Sequence, residues 1–390
     1  IDTGRPIADA LSVDAPNSAR VIQWYGETID KTYDEIAPAP RNALAMVTRE
    51  PLGVIGAVVP WNYPMMITSW KLGPALAMGN SIVVKPAENS SLSALKMAEL
   101  AVAAGLPAGV FNVVPGLGSE AGQALARHMD VAKIAFTGSG PTGRKMMQYA
   151  AESNMKQVSL ELGGKSPQVV LNDCTDLEAA ASTIAWAIYY NAGQTCNAGS
   201  RIIVEKGVKE ELFAHLHKFL ESFVVGNQFD PTTQMAGLVS ELQRDRVNAY
   251  LDLIGQDGEK LIFGGQKTSG KDLLIKPTLI DNVKPGSRLA QEEIFGPVLV
   301  AIDAKDEAEA LQLANGTEYG LAASVWTNNV ARAHKFARKL RAGTVWVNTF
   351  DMLDVITPFG GFGASGNGRD KSLHALDAYS ALKTTWVDLN

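Results

Sequence analysis

Cysteine is scarce in this chain: Cys174 and Cys196 are the only two among 390 residues. Two cysteines cannot build a disulfide framework, and a reducing, cytoplasmic setting is predicted. Positive charge is short as well. The 35 Lys and Arg are outnumbered by 41 Asp and Glu, leaving a net charge of −6. That balance gives no basic footprint for nucleic acid and no polybasic patch for anionic lipid. No apolar run approaches bilayer length, so no membrane contact is expected. The N-terminus carries no signal-peptide pattern. Histidine is sparse too. His215 and His217 stand two apart on a predicted helix and cannot face one ion, and His128, His334 and His374 lack ligand spacing, so no metal is expected. There is no internal repeat and no low-complexity segment.

What is present is an ordinary globular balance over a length that suits two domains. Residues 3 to 36 read as a helix, ended by Pro38 and Pro40, and Leu44 to Glu50 reads as an exposed strand. Apolar strands are predicted at Gly53–Val59, Ser81–Lys85, Phe111–Val114 and Lys133–Phe136, alternating with helices that include Ser90–Ala104 and Thr142–Ala151. The second half repeats this grammar. Strands are predicted at Pro167–Leu171, Ile202–Val204, Ile275–Ile280, Val298–Ile302, Ala322–Trp326 and Thr344–Val347. The helices between them include Ala179–Tyr190, Lys209–Phe223 and Val247–Ile254. Strand, helix, strand, helix points to a doubly wound parallel sheet. Ala381 to Leu389 alternates as an edge strand.

The stretch Asn191-Ala-Gly-Gln-Thr-Cys-Asn-Ala-Gly-Ser-Arg201 lies where a helix gives way to a strand. Its glycines let backbone amides turn inward around Cys196. A nucleophilic thiol needs such a setting, although a small buried cysteine in a tight loop fits the same residues. Ligands of open α/β sheets bind beyond the carboxyl ends of strands. There the chain places Asn62 between two prolines, Lys85 with Glu88, and Gly138-Ser139. Each also has a plain reading, as a turn residue or a solvated ion pair. Gly138-Ser-Gly-Pro-Thr-Gly143 matches the dinucleotide fingerprint G-x-G-x-x-G. Glu161 stands near the spacing of a ribose ligand, but it also opens a turn where a carboxylate suits a base.

The motifs taken together resemble the NAD(P)-dependent aldehyde dehydrogenases. The matching pieces are Val59-Pro-Trp-Asn-Tyr-Pro64, Lys85-Pro-Ala-Glu88, Phe136-Thr-Gly-Ser139, Leu160-Glu-Leu-Gly-Gly-Lys165, Gly193-Gln-Thr-Cys196, Glu293-Ile-Phe-Gly-Pro297 and Pro358-Phe-Gly-Gly361. They run in the family's order nearly end to end. The resemblance implies an α/β chain with a Rossmann-like cofactor domain, a catalytic domain and a small β oligomerisation hairpin. It makes Cys196 the nucleophile, Glu161 the general base and Asn62, with the Cys196 amide, the oxyanion hole. Lys71 and Asp370 match a pair proposed to relay protons. Trp61, Lys85, Glu88, Gly138, Ser139, Leu162, Glu293 and Phe295 match cofactor-binding positions, the cofactor being NAD before NADP. Tyr63, Trp70, Thr195, Asp351 and Phe359 match the lining of the aldehyde entrance, with Asp354 near Asp351.

The implied division is 1–163 for cofactor binding, with the oligomerisation hairpin at 37–51, then 164–363 for catalysis, and 364–390 as a return segment and subunit-joining strand. The chain is expected to form a homodimer or homotetramer. It begins roughly a hundred residues later than full-length members, and Gly363 stands where many relatives carry lysine. Ser365 to Ala375 resembles the subgroup acting on γ-glutamylamino-, amino- or guanidino-butyraldehydes. An acylating dehydrogenase is a rival reading that Glu161 argues against. A non-catalytic use of the scaffold is another, opposed by Cys196, Glu161 and Asn62.

Overall fold

The computed structural model describes residues 2–390. The chain forms two compact units. One comprises residues 12–161, 354–359 and 368–390, and the other residues 2–11, 162–353 and 360–367.

The first unit holds a five-stranded parallel sheet in the order Phe111–Val113, Ser81–Lys85, Val54–Val58, Val131–Thr137, Gln157–Glu161. Its central strands are apolar because helices cover them; Ile55, Ala57, Ile82, Val84 and Ile134 are completely buried. Val58 pairs with Lys85 on one side and Phe136 on the other, and Thr137 pairs with Glu161. The carboxyl ends of four adjacent strands therefore lie side by side. The helix Pro64–Ala77 starts with proline in its first turn, where the missing amide costs nothing.

Two expectations about the N-terminal stretch are corrected. Residues 3–36 do not form one helix. Ile7–Asp9, a wide turn at Ala10–Asp14, Ala15–Thr28 and a tight turn at Ile29–Lys31 follow one another, and Glu35–Ala37 is a strand. Pro38 and Pro40 do more than end a helix, since a residue before proline is pushed toward extended backbone. That strand pairs antiparallel with Ala43–Pro51, so the hairpin expected at 37–51 begins two residues earlier. Ser380–Asp388 pairs along the other side of Ala43–Pro51. Gln157–Glu161, for which no element was expected, is the edge strand of the parallel sheet, and Glu161 stands at its end.

The second unit is built on a seven-stranded sheet in the order Lys260–Phe263, Thr278–Asp281, Val298–Ala304, Arg201–Glu205, Pro167–Val170, Ala322–Trp326, Thr344–Val347. All neighbours are parallel except the first pair. The helix Leu177–Tyr189 is capped by Asp176, which accepts from the Ala179 amide at 3.0 Å. The helix expected at Val247–Ile254 spans Glu241–Leu251, because Ser240 caps it at the Gln243 amide. The strand expected from Ile275 starts at Thr278, after Pro277, which has no amide to give to a ladder. Lys260–Phe263 escaped notice as a short, largely exposed edge. No helix among the described residues is long and apolar enough to cross a membrane.

Candidate active site

The Cys196 loop belongs to the second unit. After Tyr189 the backbone turns left-handed for three residues, at Asn191 (φ 50°), Ala192 (φ 54°) and Gly193 (φ 71°). Alanine is rarely found in that region, and the surrounding contacts hold it there. At Gly193 no side chain fits, since a Cβ would lie 2.1 Å from the Gly296 carbonyl oxygen. The Gln194 amide donates to the Asn191 carbonyl, the Asn191 side chain donates to the Gln194 carbonyl, and Gln194 Oε1 accepts from the Val239 amide at 3.0 Å. On the far side the Gly199 amide bonds Ala187 O. Cys196 is half-buried within this frame, and Thr195 is buried.

Asn197, next to the cysteine, is buried and donates from Nδ2 to Asp351 Oδ1 at 2.6 Å. Asp351 itself sits in a left-handed turn (φ 58°). Of the two acidic residues singled out in the sequence, Asp351 is thus fastened to the Cys196 loop. Asp354, in the other unit, is exposed and caps a turn by accepting from the Ile356 amide at 3.1 Å.

Also in the second unit, Glu293 lies against Gly163, where a Cβ would fall 2.2 Å from its carboxylate oxygens, and it accepts from the Gly164 amide at 3.1 Å. Enclosure of the carboxyl pushes its pKa up to about 7, against the pull of that amide and of Arg246 and Lys165. Phe295 takes a left-handed backbone (φ 59°) and its carbonyl accepts from Gln243. The Leu162 amide bonds Ser365 O, and the buried Ser365 hydroxyl donates to Gly163 O at 2.7 Å and accepts from the Gly320 amide.

The first unit gathers Asn62, Tyr63, Trp70, Lys71, Lys85, Gly138, Ser139, Glu161, Phe359 and Asp370; Asn62 and Tyr63 are buried, and Trp61 is half-buried. Lys85 is buried and donates to Glu88 Oε1 at 2.9 Å, which also accepts from the Gly118 amide at 2.6 Å. Burial acts to raise the Glu88 pKa, but these bonds outweigh it and hold the carboxyl below its usual range. Ser139 precedes the helix Gly140–Ala151, whose first-turn amides have no partner inside the helix and favour an anion. A Cβ on Gly138 would lie 2.6 Å from the Phe136 ring, so the turn is as thin as backbone allows. Within this unit, helix-start amides that favour an anion and the Glu88 carboxylate beside Lys85 are features that suit a nicotinamide dinucleotide, and the residues fit it.

Trp70 and Phe359 pack at 5.3 Å between centroids, with the Lys371 ammonium over both rings. Beneath them lies a dense polar cluster. Lys71 and Asp370 are both buried and paired at 2.6 Å. Glu161 is buried, with neither oxygen hydrogen-bonded among the described residues. Burial and the charge of Asp370 push its pKa well above the carboxylate range, while Lys71 and Arg369 act the other way. Such a group keeps its proton to a higher pH than an ordinary carboxyl does, and can accept one only once ionised.

Sequence reasoning missed several participants. Asn197 and Gln194 were motif neighbours with no assigned task, and no local signal links Asn197 to a residue 154 positions away. Ser365 opens the stretch that carries the subgroup resemblance, but nothing local shows that it latches Gly163. Lys133 had a signal, a lone cation in an apolar strand. No cluster of three or more metal-ligating side chains occurs among the described residues.

Comparison with known proteins agrees with this geometry. The model of the aldehyde dehydrogenase family matches residues 1–385. The chain is 49% identical over 389 residues to the NADP/NAD-dependent aldehyde dehydrogenase PuuC of Escherichia coli (strain K12), covering all of this chain and 78% of that one. The crystal structure of an indole-3-acetaldehyde dehydrogenase complexed with NAD+ superposes with a TM-score of 0.97 at 51% identity, over 100% of this chain and 79% of the other. That of the γ-glutamyl-γ-aminobutyraldehyde dehydrogenase from Burkholderia cenocepacia gives the same TM-score, 0.97, at 51% identity and the same coverage, 100% and 79%.

Proposed function

This chain belongs to the aldehyde dehydrogenase family, and from that premise we propose that it oxidises an aldehyde carrying a cationic or polar tail, of the amino-, guanidino- or γ-glutamylamino-butyraldehyde type. The Cys196 thiolate attacks the aldehyde carbon to form a thiohemiacetal. Asn62 and the Cys196 amide donate to the oxyanion. NAD, when bound, supplies the hydride acceptor, and loss of hydride leaves a thioester on Cys196. Glu161 then takes a proton from water, which displaces the acid and restores the thiol. Lys71 and Asp370 pass that proton away from the base. Trp61, Lys85, Glu88, Gly138, Ser139, Leu162, Glu293 and Phe295 hold the dinucleotide. The Glu88 carboxylate repels a 2′-phosphate, which favours NAD over NADP. Tyr63, Trp70, Thr195 and Phe359 pack the substrate chain.

The observation that carries the substrate class is Asp351, a carboxylate bonded to the residue beside Cys196. It places negative charge close to the nucleophile, where a cationic tail gains and a neutral ring does not. The paired rings of Trp70 and Phe359 favour a second reading, a flat aromatic aldehyde, as the indole-3-acetaldehyde enzyme's name suggests for that protein. Asp351→Asn, assayed with 4-guanidinobutyraldehyde and with a neutral aldehyde of equal length, separates the two. A hydrogen bond to a charged group is worth about 1.5–3 kcal/mol. A loss of about tenfold or more in kcat/KM on the cationic substrate alone is expected. Equal losses on both substrates would reduce Asp351 to a brace for the loop.

We further place the enzyme in the cytoplasm, as its two cysteines suggest, and as a homo-oligomer. Ser380–Asp388 is an outer strand of its sheet, with Leu382 and Trp386 63% and 60% exposed. A second copy of the chain would cover these side chains and the strand edge.

A further inference from the structure

Four buried ionisable groups crowd one region of the first unit: Glu161, Asp370, Lys71 and Lys133. Three belong to the mechanism above, and Lys133 does not. It lies in the strand Val131–Thr137 and pairs with Gln157 of the neighbouring strand, whose residues Gln157, Ser159 and Glu161 share one face. Its side chain stays on that face. Nζ donates to the Ser159 hydroxyl at 2.6 Å and lies 5.3 Å from the centre of the buried Tyr379 ring. Gly368 closes the cluster, since a Cβ there would be 3.0 Å from Glu161 Oε1 and 3.2 Å from Ser159 Cβ.

The charge count shows what such a residue does. Lys71 and Asp370 neutralise each other at 2.6 Å. Ionising Glu161 beside that pair would leave an uncompensated buried anion, which is expensive. Arg369 also favours the anion but is only half-buried, where solvent screens it. Tyr25 and Tyr379 face Asp370 as neutral phenols whose pKa values are raised, by burial first and by Asp370 second. Further enclosed cations of this unit include Lys371, held over the Trp70 and Phe359 rings, and Lys133, on which the charge of Asp370 acts. We propose that Lys133, seated on Ser159, is a positioning residue for the base, its ammonium providing the second positive charge with which Glu161 and Asp370 are ionised together.

Burial, reinforced by Lys71, pushes the Lys133 pKa down to about 8, opposed by Asp370. The ammonium is therefore present at neutral pH and lost above about 8. The inference rests on the reading of Glu161 as the deacylating base.

The test is the pH profile of steady-state turnover in Lys133→Met, with the NADH burst recorded alongside. An opposite charge nearby moves a pKa by roughly 1–3 units. Its removal should shift the acid limb up by about one unit or more, costing about tenfold in turnover on that limb. The burst should persist, because hydride transfer precedes the base's step. Lys133→Arg should move the limb back toward the parent, which a role in packing alone would not produce. Should Lys133→Met not fold, Ser159→Ala reads the same effect, since it frees the ammonium from its seat and should shift the limb in the same direction by less. An unmoved limb in the folded variants overturns the proposal. Glu161→Gln separates the two levels. If it turns over like the parent, the base assignment falls and this inference with it. If it stalls while the Lys133 limb stays in place, only this inference falls.

Discussion

The Cys196 loop and the Glu161 cluster are built by opposite means. Around Cys196 the loop is nearly uncharged: left-handed backbone, crossed amide bonds between Asn191 and Gln194, and a glycine with no room for a methyl group. Around Glu161 the backbone is an ordinary edge strand, and what is unusual is charge, with two carboxyls and two ammonium groups enclosed together. A nucleophile has to be aimed, and shape does that. A base has to hold the right proton at the right pH, and enclosed charge does that. The first region should therefore be fragile to added volume and the second to altered charge.

Cys196→Ala should have the largest effect. Oxidation should fall to background while cofactor binding, followed by fluorescence quenching or calorimetry, survives. Residual turnover near the parent rate would remove the thiol from the chemistry. Gly193→Ala comes next. The left-handed backbone alone costs roughly 1–2 kcal/mol with a Cβ, and the methyl group would strike the Gly296 carbonyl. A clear fall in Tm, or failure to fold, is expected, and a stable, active variant would show that the loop yields. Lys71→Met probes the other region. It leaves Asp370 without its counter-ion, and breaking one side of a buried pair costs about 3–5 kcal/mol. Denaturant midpoints should fall accordingly, and Lys71→Met with Asp370→Leu should recover part of the loss. If the single variant were as stable as the parent, the pair would not be the enclosed contact described.

The two regions also differ in how far the sequence revealed them. Strands ending in Lys85 and Thr137 could be read from apolar runs stopped by proline or glycine, and the Cys196 loop from its density of glycine and amide residues. Those signals are local. The edge strand Gln157–Glu161 was not legible, because its mixed polar and apolar residues acquire order only from the ladder with Val131–Thr137. The Asn197–Asp351 bond joins residues distant in sequence. Lys133 stands out in the sequence as a cation in an apolar strand, but its partner Ser159 is supplied only by the sheet. Shape at a turn is written in neighbouring residues, whereas a charge balance is written across the fold.

The central claim is that the two regions serve two separable half-reactions, and rapid mixing of Glu161→Gln with NAD and aldehyde tests it most directly. The parent should turn over with an acid limb above the ordinary carboxylate range, because burial raises the Glu161 pKa and the active anion is lost as the pH falls through that raised value. The variant should release about one NADH per active site in a burst. It should then stall, with steady-state turnover lower by about 10²–10⁴-fold. Full turnover in that variant, or a burst lost together with turnover, would contradict the account.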